Sequence, residues 1–205
     1  MRDPEMPDKP KYKFRITELD PNLLARPFGI QTKWHVITGA SCTGKTTLID
    51  QLAGEGFQTV PEVARQVFDP EMDGGRTIEE IRTDFLTLEH QMTAKQIRVE
   101  NGLAATEVNF LDRALPDSLT FYRVFGANPN ELLPECFRHR YASVFILDRL
   151  PFHRTMALGP EDDATSNFLN KWLASDYRSL GYTVVRVPVL PPQERLAFVL
   201  GRLSK

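Results

Sequence analysis

The run Gly39-Ala40-Ser41-Cys42-Thr43-Gly44-Lys45-Thr46-Thr47 carries the strongest chemical signal in the chain. It has the form G-x-x-x-x-G-K-T, a phosphate-binding loop or Walker A motif. Such a loop wraps backbone N–H groups around phosphate oxygens, and its glycines permit the dihedrals and close approach this needs. Lys45 then reaches the β- and γ-phosphates of a nucleoside triphosphate, ATP or GTP, and the Thr46 hydroxyl completes a Mg2+ shell. Further on, Glu62 follows Phe57-Gln58-Thr59-Val60, read as a second strand, with Pro61 read as the first residue of a helix. A carboxylate at that strand end could take the proton of a hydroxyl that attacks the γ-phosphate, and Arg65 lies one helical step beyond it. Asp112 ends the apolar run Val108-Asn109-Phe110-Leu111, as a Walker-B-type acid does when it holds magnesium. Arg113 follows at once, with a guanidinium suited to gripping a phosphoryl oxygen or clamping the acceptor. Arg149 and Arg154 sit in an aperiodic stretch up to Asp163, which suits a lid that closes over the triphosphate.

These groups need a scaffold, and the spacing of apolar residues supplies one. Trp34–Thr38 reads as the strand before the phosphate loop, and Thr47–Leu52 continues as the helix after it. Strands follow at 57–60, near 108–112, at 141–147 and at 182–187, each separated by helical segments. Five strands alternating with helices predict an α/β P-loop NTPase fold, a five-stranded parallel sheet with helices on both faces. The phosphate site then lies at the carboxyl edge of the first strand, and Glu62, Asp112 and Asp148 all end strands. Thr77-Ile78-Glu79-Glu80 starts a long helix as a capping box. Ile78, Ile81, Phe85, Leu88, Met92 and Val99 predict its buried stripe, through about Asn101. The helix from Ser166 ends before Gly181, and Asn128-Pro129 opens another.

Length and charge narrow the function. The 205 residues suffice for one full core, read as residues 32–205. Residues 1–31 form an extension, partly disordered over proline- and charge-rich Met1 to Lys11, with Tyr12–Thr17 as a candidate edge strand. A net charge of -2 argues against a nucleic-acid partner. Cys42 and Cys136 make no disulfide framework, and no run of about eighteen apolar residues forms a membrane span. The expectation is a soluble cytoplasmic protein.

The phosphate loop, Val60-Pro61-Glu62-Val63-Ala64-Arg65, Leu111-Asp112-Arg113 followed by Leu115-Pro116-Asp117, and Leu180-Gly181-Tyr182 leading into Val187-Pro188 occur in that order. Together they resemble the AAA-type P-loop domain shared by the kinase domain of NadR and the TRP-translocation-defect proteins, over about residues 32 to 203. The resemblance implies a nucleoside-kinase-like fold. It also implies Glu62 as base, Asp112 as magnesium or acceptor carboxylate, and Arg113 as phosphate clamp. The segment after Leu150-Pro151-Phe152 departs from the more regular Asp and Arg pattern expected of the lid. The leading expectation is an ATP- and Mg2+-dependent kinase acting on a small hydroxyl-bearing, nucleoside-like acceptor. The alternative is a nucleotide-binding regulatory module or ATPase with protein or phosphoinositide partners. Asn170-Lys171-Trp172-Leu173 lacks the final Asp of the guanine-reading N-K-x-D motif.

Overall fold

Alternation along the strands decides how this chain folds, because successive side chains of a strand point to opposite faces. The computed structural model describes residues 16–67, 73–75, 85–151 and 163–203. In chain order these hold helix α1 (Pro21–Leu24), strands β1 (Ile30–Gln31) and β2 (Trp34–Thr38), helix α2 (Lys45–Gly54) and strand β3 (Gln58–Val60). Helix α3 (Phe85–Gly102), strand β4 (Asn109–Asp112) and helix α4 (Asp117–Val124) follow. A 3-10 turn (Pro129–Glu131) leads to helix α5 (Leu133–Cys136) and strands β5 (His139–Arg140) and β6 (Ser143–Leu147). Helix α6 (Asp163–Ser179), strand β7 (Val184–Val187) and helix α7 (Pro192–Leu200) complete the described chain.

The main sheet has the order β3-β4-β2-β6-β7, and every pairing in it is parallel. Strand β2 is central and wholly buried. It sends Trp34 and Val36 to one core with Leu111, Val144 and Tyr177. Ile37 goes to the other with Phe110, Phe145 and Leu147, against Leu48, Ile49 and Leu52 of α2 and Leu196 and Val199 of α7. Burying each such side chain contributes roughly 1.5–3 kcal/mol, so the two cores clamp the sheet from both faces. Among the described residues no helix is long and apolar enough to cross a membrane.

The five predicted sheet strands are all present, and β1 pairs with β5 as a separate two-stranded parallel ribbon that the pattern did not announce. Two-residue strands are too short to show a period. Ile16 and Thr17 belong to no strand, and the rest of the proposed edge strand at 12–17 lies outside the described residues. So do Thr77 to Ile81, with the capping box. The region from Asn128 is a 3-10 turn followed by a single helical turn, and α6 begins earlier than Ser166, at Asp163.

The expected apolar stripe of α3 is a correction. Its buried residues are Leu88, Glu89, Thr93, Gln96 and Glu100, whereas Phe85, Met92 and Val99 are only partly covered. The buried face is polar because it has polar partners to meet. Glu100 accepts the Leu115 N–H at 2.8 Å, the Gln96 amide at 2.9 Å and the Tyr141 hydroxyl at 2.8 Å. Thr93 donates to Ser118 of α4 at 3.2 Å. Burial pushes the Glu89 carboxyl up to about 8, so this acid is protonated at neutral pH. A hydrophobic period cannot reveal a face whose burial is satisfied by hydrogen bonds.

Candidate active site

Strand β2 ends at Thr38, and the chain turns at Gly39 with φ +142°, where a Cβ would lie 2.9 Å from the Leu147 carbonyl oxygen. Only glycine fits there. Gly44, at φ +82°, precedes α2, and no side chain caps that helix or adds an acid to its first turn. The positive end of the helix dipole is thus left to a ligand. Lys45 curls back over its own loop, donating from Nζ to the carbonyl oxygens of Gly39 at 3.0 Å and Ala40 at 2.9 Å. Burial, with Arg113 adding, lowers its pKa to about 8 against the pull of Glu62 and Asp112. Ser41, Cys42 and Thr43 form the crown of the loop. Cys42 takes φ +57°, its carbonyl accepts the Leu150 N–H at 3.2 Å, and the Thr43 hydroxyl donates to Ala40 at 3.1 Å.

Two side chains that sequence reasoning did not assign fasten this loop. Asn170 of α6 accepts the Ala40 N–H at 2.6 Å and donates to the Leu147 carbonyl at 3.3 Å. Arg195 of α7, 4% exposed, donates to the carbonyl oxygens of Thr43, Asp148 and Pro188. One guanidinium thereby ties the loop to the ends of β6 and β7. Neither residue sits in a motif; each follows from which helix the fold packs against the loop.

Across the sheet edge, the structure brings Glu62, Asp112 and Arg113 together. Glu62 lies in the turn after β3, and the helical turn opens only at Arg65. Pro61 is therefore not at a first helical position, a correction to the sequence expectation. Arg113 Nε donates to Glu62 Oε1 at 2.7 Å, and Arg65 Nε stands 3.6 Å from Glu62 Oε2. Burial alone would raise Glu62, but Arg113 and Lys45 beside it hold its carboxyl down at about 2. Arg65 also donates to the Thr46 hydroxyl at 3.1 Å, linking the start of α2 to the Glu62 side. Asp112 is 3% exposed, and its Oδ1 has no hydrogen-bond partner among the described residues. Burial pushes it up to about 6 despite Lys45. An orphaned buried carboxylate oxygen beside the Thr46 loop is a fitting ligand for a hard cation.

Asp117, at the start of α4, is the other residue the sequence did not single out for a role. It accepts Arg113 Nη1 at 3.2 Å, the Ala114 N–H at 3.2 Å, the Tyr177 hydroxyl at 2.6 Å and the Thr38 hydroxyl. Asp148, by contrast, gives its carboxylate to Arg186 of β7. Arg149 donates to Ser166 of α6, and Arg154 lies outside the described residues.

A phosphate loop after the central strand of a parallel sheet, faced by carboxylates from adjacent strand ends, defines the class as a P-loop α/β protein. The chain belongs to the family described as AAA domain, which matches residues 34–195. No curated protein matches the chain. Among solved structures it is similar to the NadR protein in complex with NR, at 19% identity and a TM-score of 0.61, over 83% of this chain and 49% of that one. It thus spans about half the length of NadR. It is also similar to deoxyadenosine kinase from M. mycoides with the products dCMP and dCDP bound, at 14% identity and a TM-score of 0.60, over 83% of this chain and 97% of that one. A NadR structure in complex with NAD and AMP-PNP matches with a TM-score of 0.57 at 17% identity, over 84% of this chain and 49% of that one. At these identities the likeness is one of fold.

Proposed function

We propose that the chain is a phosphotransferase that moves the γ-phosphate of ATP, or GTP, to a hydroxyl of a small nucleoside-like acceptor. The observation that carries this reading is Glu62, an ionised carboxylate held by Arg113 and Arg65 beside the phosphate loop. A loop that only binds or hydrolyses nucleotide has less need of a carboxylate on the acceptor side. The loop N–H groups and Lys45 hold the triphosphate, Lys45 leaving its carbonyl contacts for phosphate oxygens. The acceptor hydroxyl lies between Glu62 and the γ-phosphorus. As the new O–P bond forms and the bond to the leaving diphosphate breaks, the hydroxyl proton passes to Glu62. A carboxylate with so low a pKa is a weak base, which suffices because phosphoryl transfer is loose and depends mainly on positioning and charge neutralisation. Arg113 supplies positive charge at the transferred group. Thr46 and Asp112 would hold Mg2+, which when bound with nucleotide neutralises phosphate charge. The similarity to a deoxyadenosine kinase and to a protein that binds NR supports the choice of a nucleoside-like acceptor.

The test is nucleoside diphosphate release from MgATP or MgGTP across nucleosides, nicotinamide riboside, sugars and inositols, with Lys45→Ala as control. Strong stimulation by one acceptor, lost in the control, is expected. Tight nucleotide binding without stimulation by any acceptor would instead favour a regulatory module.

A further inference from the structure

We infer that Asp117 is the positioning residue of this site, fixing the Arg113 guanidinium against Glu62 without touching substrate itself. The inference rests on the phosphotransfer reading and deepens it. Arg113 is an improbable residue to find ordered by its backbone alone. Its φ of +70° lies in the left-handed region that L side chains rarely adopt. Its N–H donates to the Ile37 carbonyl at 3.0 Å, so the strand pairing continues through the strained residue. The guanidinium is divided between two acids, Nε on Glu62 and Nη1 on Asp117. A planar fork held at two points has one orientation, whereas held at one it can rotate.

Asp117 can serve as the fixed point because it is itself immobilised. It is 2% exposed, and three further donors reach it: the Thr38 hydroxyl, the Ala114 N–H and the Tyr177 hydroxyl. They come from the last residue of β2, the turn before α4 and the last turn of α6. Thr38 immediately precedes Gly39, so the carboxylate that orients Arg113 is referenced to the start of the phosphate loop. The clamp on the acceptor side and the loop on the donor side therefore share one origin. A displacement of about 1 Å at a reacting group costs on the order of 10²-fold in rate, which makes such a reference useful. If Asp117 were only a first-turn acid of α4, the bonds from Ala114 and the helix would suffice and Arg113 would be indifferent to it.

The experiment compares Asp117→Asn, Asp117→Glu and Tyr177→Phe with wild type. It measures kcat per nucleotide-binding molecule, the KM of the acceptor found above, nucleotide Kd, and the 1H–15N resonance of Arg113 Nε–H, assigned with Arg113→Lys. Asp117→Asn should lower kcat on the order of 10²-fold, keep nucleotide Kd within about threefold, and lose the protected Arg113 Nε–H signal. Asp117→Glu restores the charge but not the distances and should not rescue. Tyr177→Phe, which removes one of the four donors, is the variant of use if Asp117→Asn does not fold. It should lower kcat by roughly threefold to tenfold while nucleotide Kd stays constant. Unchanged kcat per binding molecule in every folded variant would overturn the inference, as would an Arg113 signal indifferent to Asp117→Asn. If wild type phosphorylates no acceptor, the phosphotransfer reading fails, while the Arg113 resonance still decides the role of Asp117.

Discussion

Glu62 and Asp112 stand at one sheet edge, and their surroundings push them in opposite directions. Glu62 has Arg113, Lys45 and Arg65 beside it, so its pKa is held down at about 2 against burial; Asp112 has an orphaned oxygen in a buried place, so burial raises it to about 6. For a depressed acid, the stabilising contribution is complete above the unfolded value and disappears as pH falls through the folded one. The difference in urea-unfolding free energy between wild type and Glu62→Gln should therefore be constant above about pH 5 and shrink towards pH 2. Asp112 has the reverse sign, since its charged form is less favoured in the folded protein. Asp112→Asn should leave the nucleotide-free protein unchanged below about pH 4 and stabilise it by about 1–3 kcal/mol above pH 7, while abolishing transfer. Urea melts at several pH values check both. A stabilising substitution that removes activity is what an acid kept for a cation should give.

Helices α6 and α7 act on the phosphate loop from outside the motif. Asn170→Ala removes the acceptor for the Ala40 N–H and should weaken nucleotide binding by roughly 2–12-fold, the equivalent of one hydrogen bond. Isothermal titration with a non-hydrolysable triphosphate measures it, and a fall in acceptor KM alone would not fit. The five strands of the sheet and the loop were legible in the sequence because they rest on local signals: G-x-x-x-x-G-K-T, five β-rich runs and glycines after helices; the order β3-β4-β2-β6-β7 was not, since it is set by pairings between distant segments. The placement of Glu62, Asp112 and Arg113 was legible because they lie at or just after strand ends, and a parallel sheet brings strand ends to one edge. Asn170, Arg195 and Asp117 were not, since their partners lie 130, 152 and 79 residues away in Ala40, Thr43 and Thr38. The face of α3 was misjudged for a related reason: Glu100 and Thr93 are buried through hydrogen bonds to Leu115, Tyr141 and Ser118, which leave no apolar period.

Over the whole molecule, the core beneath the site is braced by a buried ion pair. Arg123 and Asp176, 1% and 2% exposed, meet at 2.6 Å. Asp176 also accepts the Thr120 hydroxyl at 2.7 Å, while Arg123 lies over Trp172 and donates to the Thr17 carbonyl at 2.8 Å. The pair joins α4, α6 and the segment before α1; Leu19 of that segment and Leu23 and Leu24 of α1 pack on the main core. Asp176→Ala strands a buried guanidinium and should cost about 3–5 kcal/mol of stability, read by chemical denaturation. Nucleotide affinity of the folded fraction should be retained, because neither partner touches the phosphate loop. Group transfer to an acceptor, rather than hydrolysis, is the activity proposed for this site. The most direct test is 31P NMR of MgATP with the purified protein and the stimulating nucleoside, for wild type and Glu62→Gln. A phosphate-ester resonance should grow with ADP in wild type and be strongly suppressed in Glu62→Gln. Growth of inorganic phosphate alone, at one rate with or without every acceptor, would contradict it.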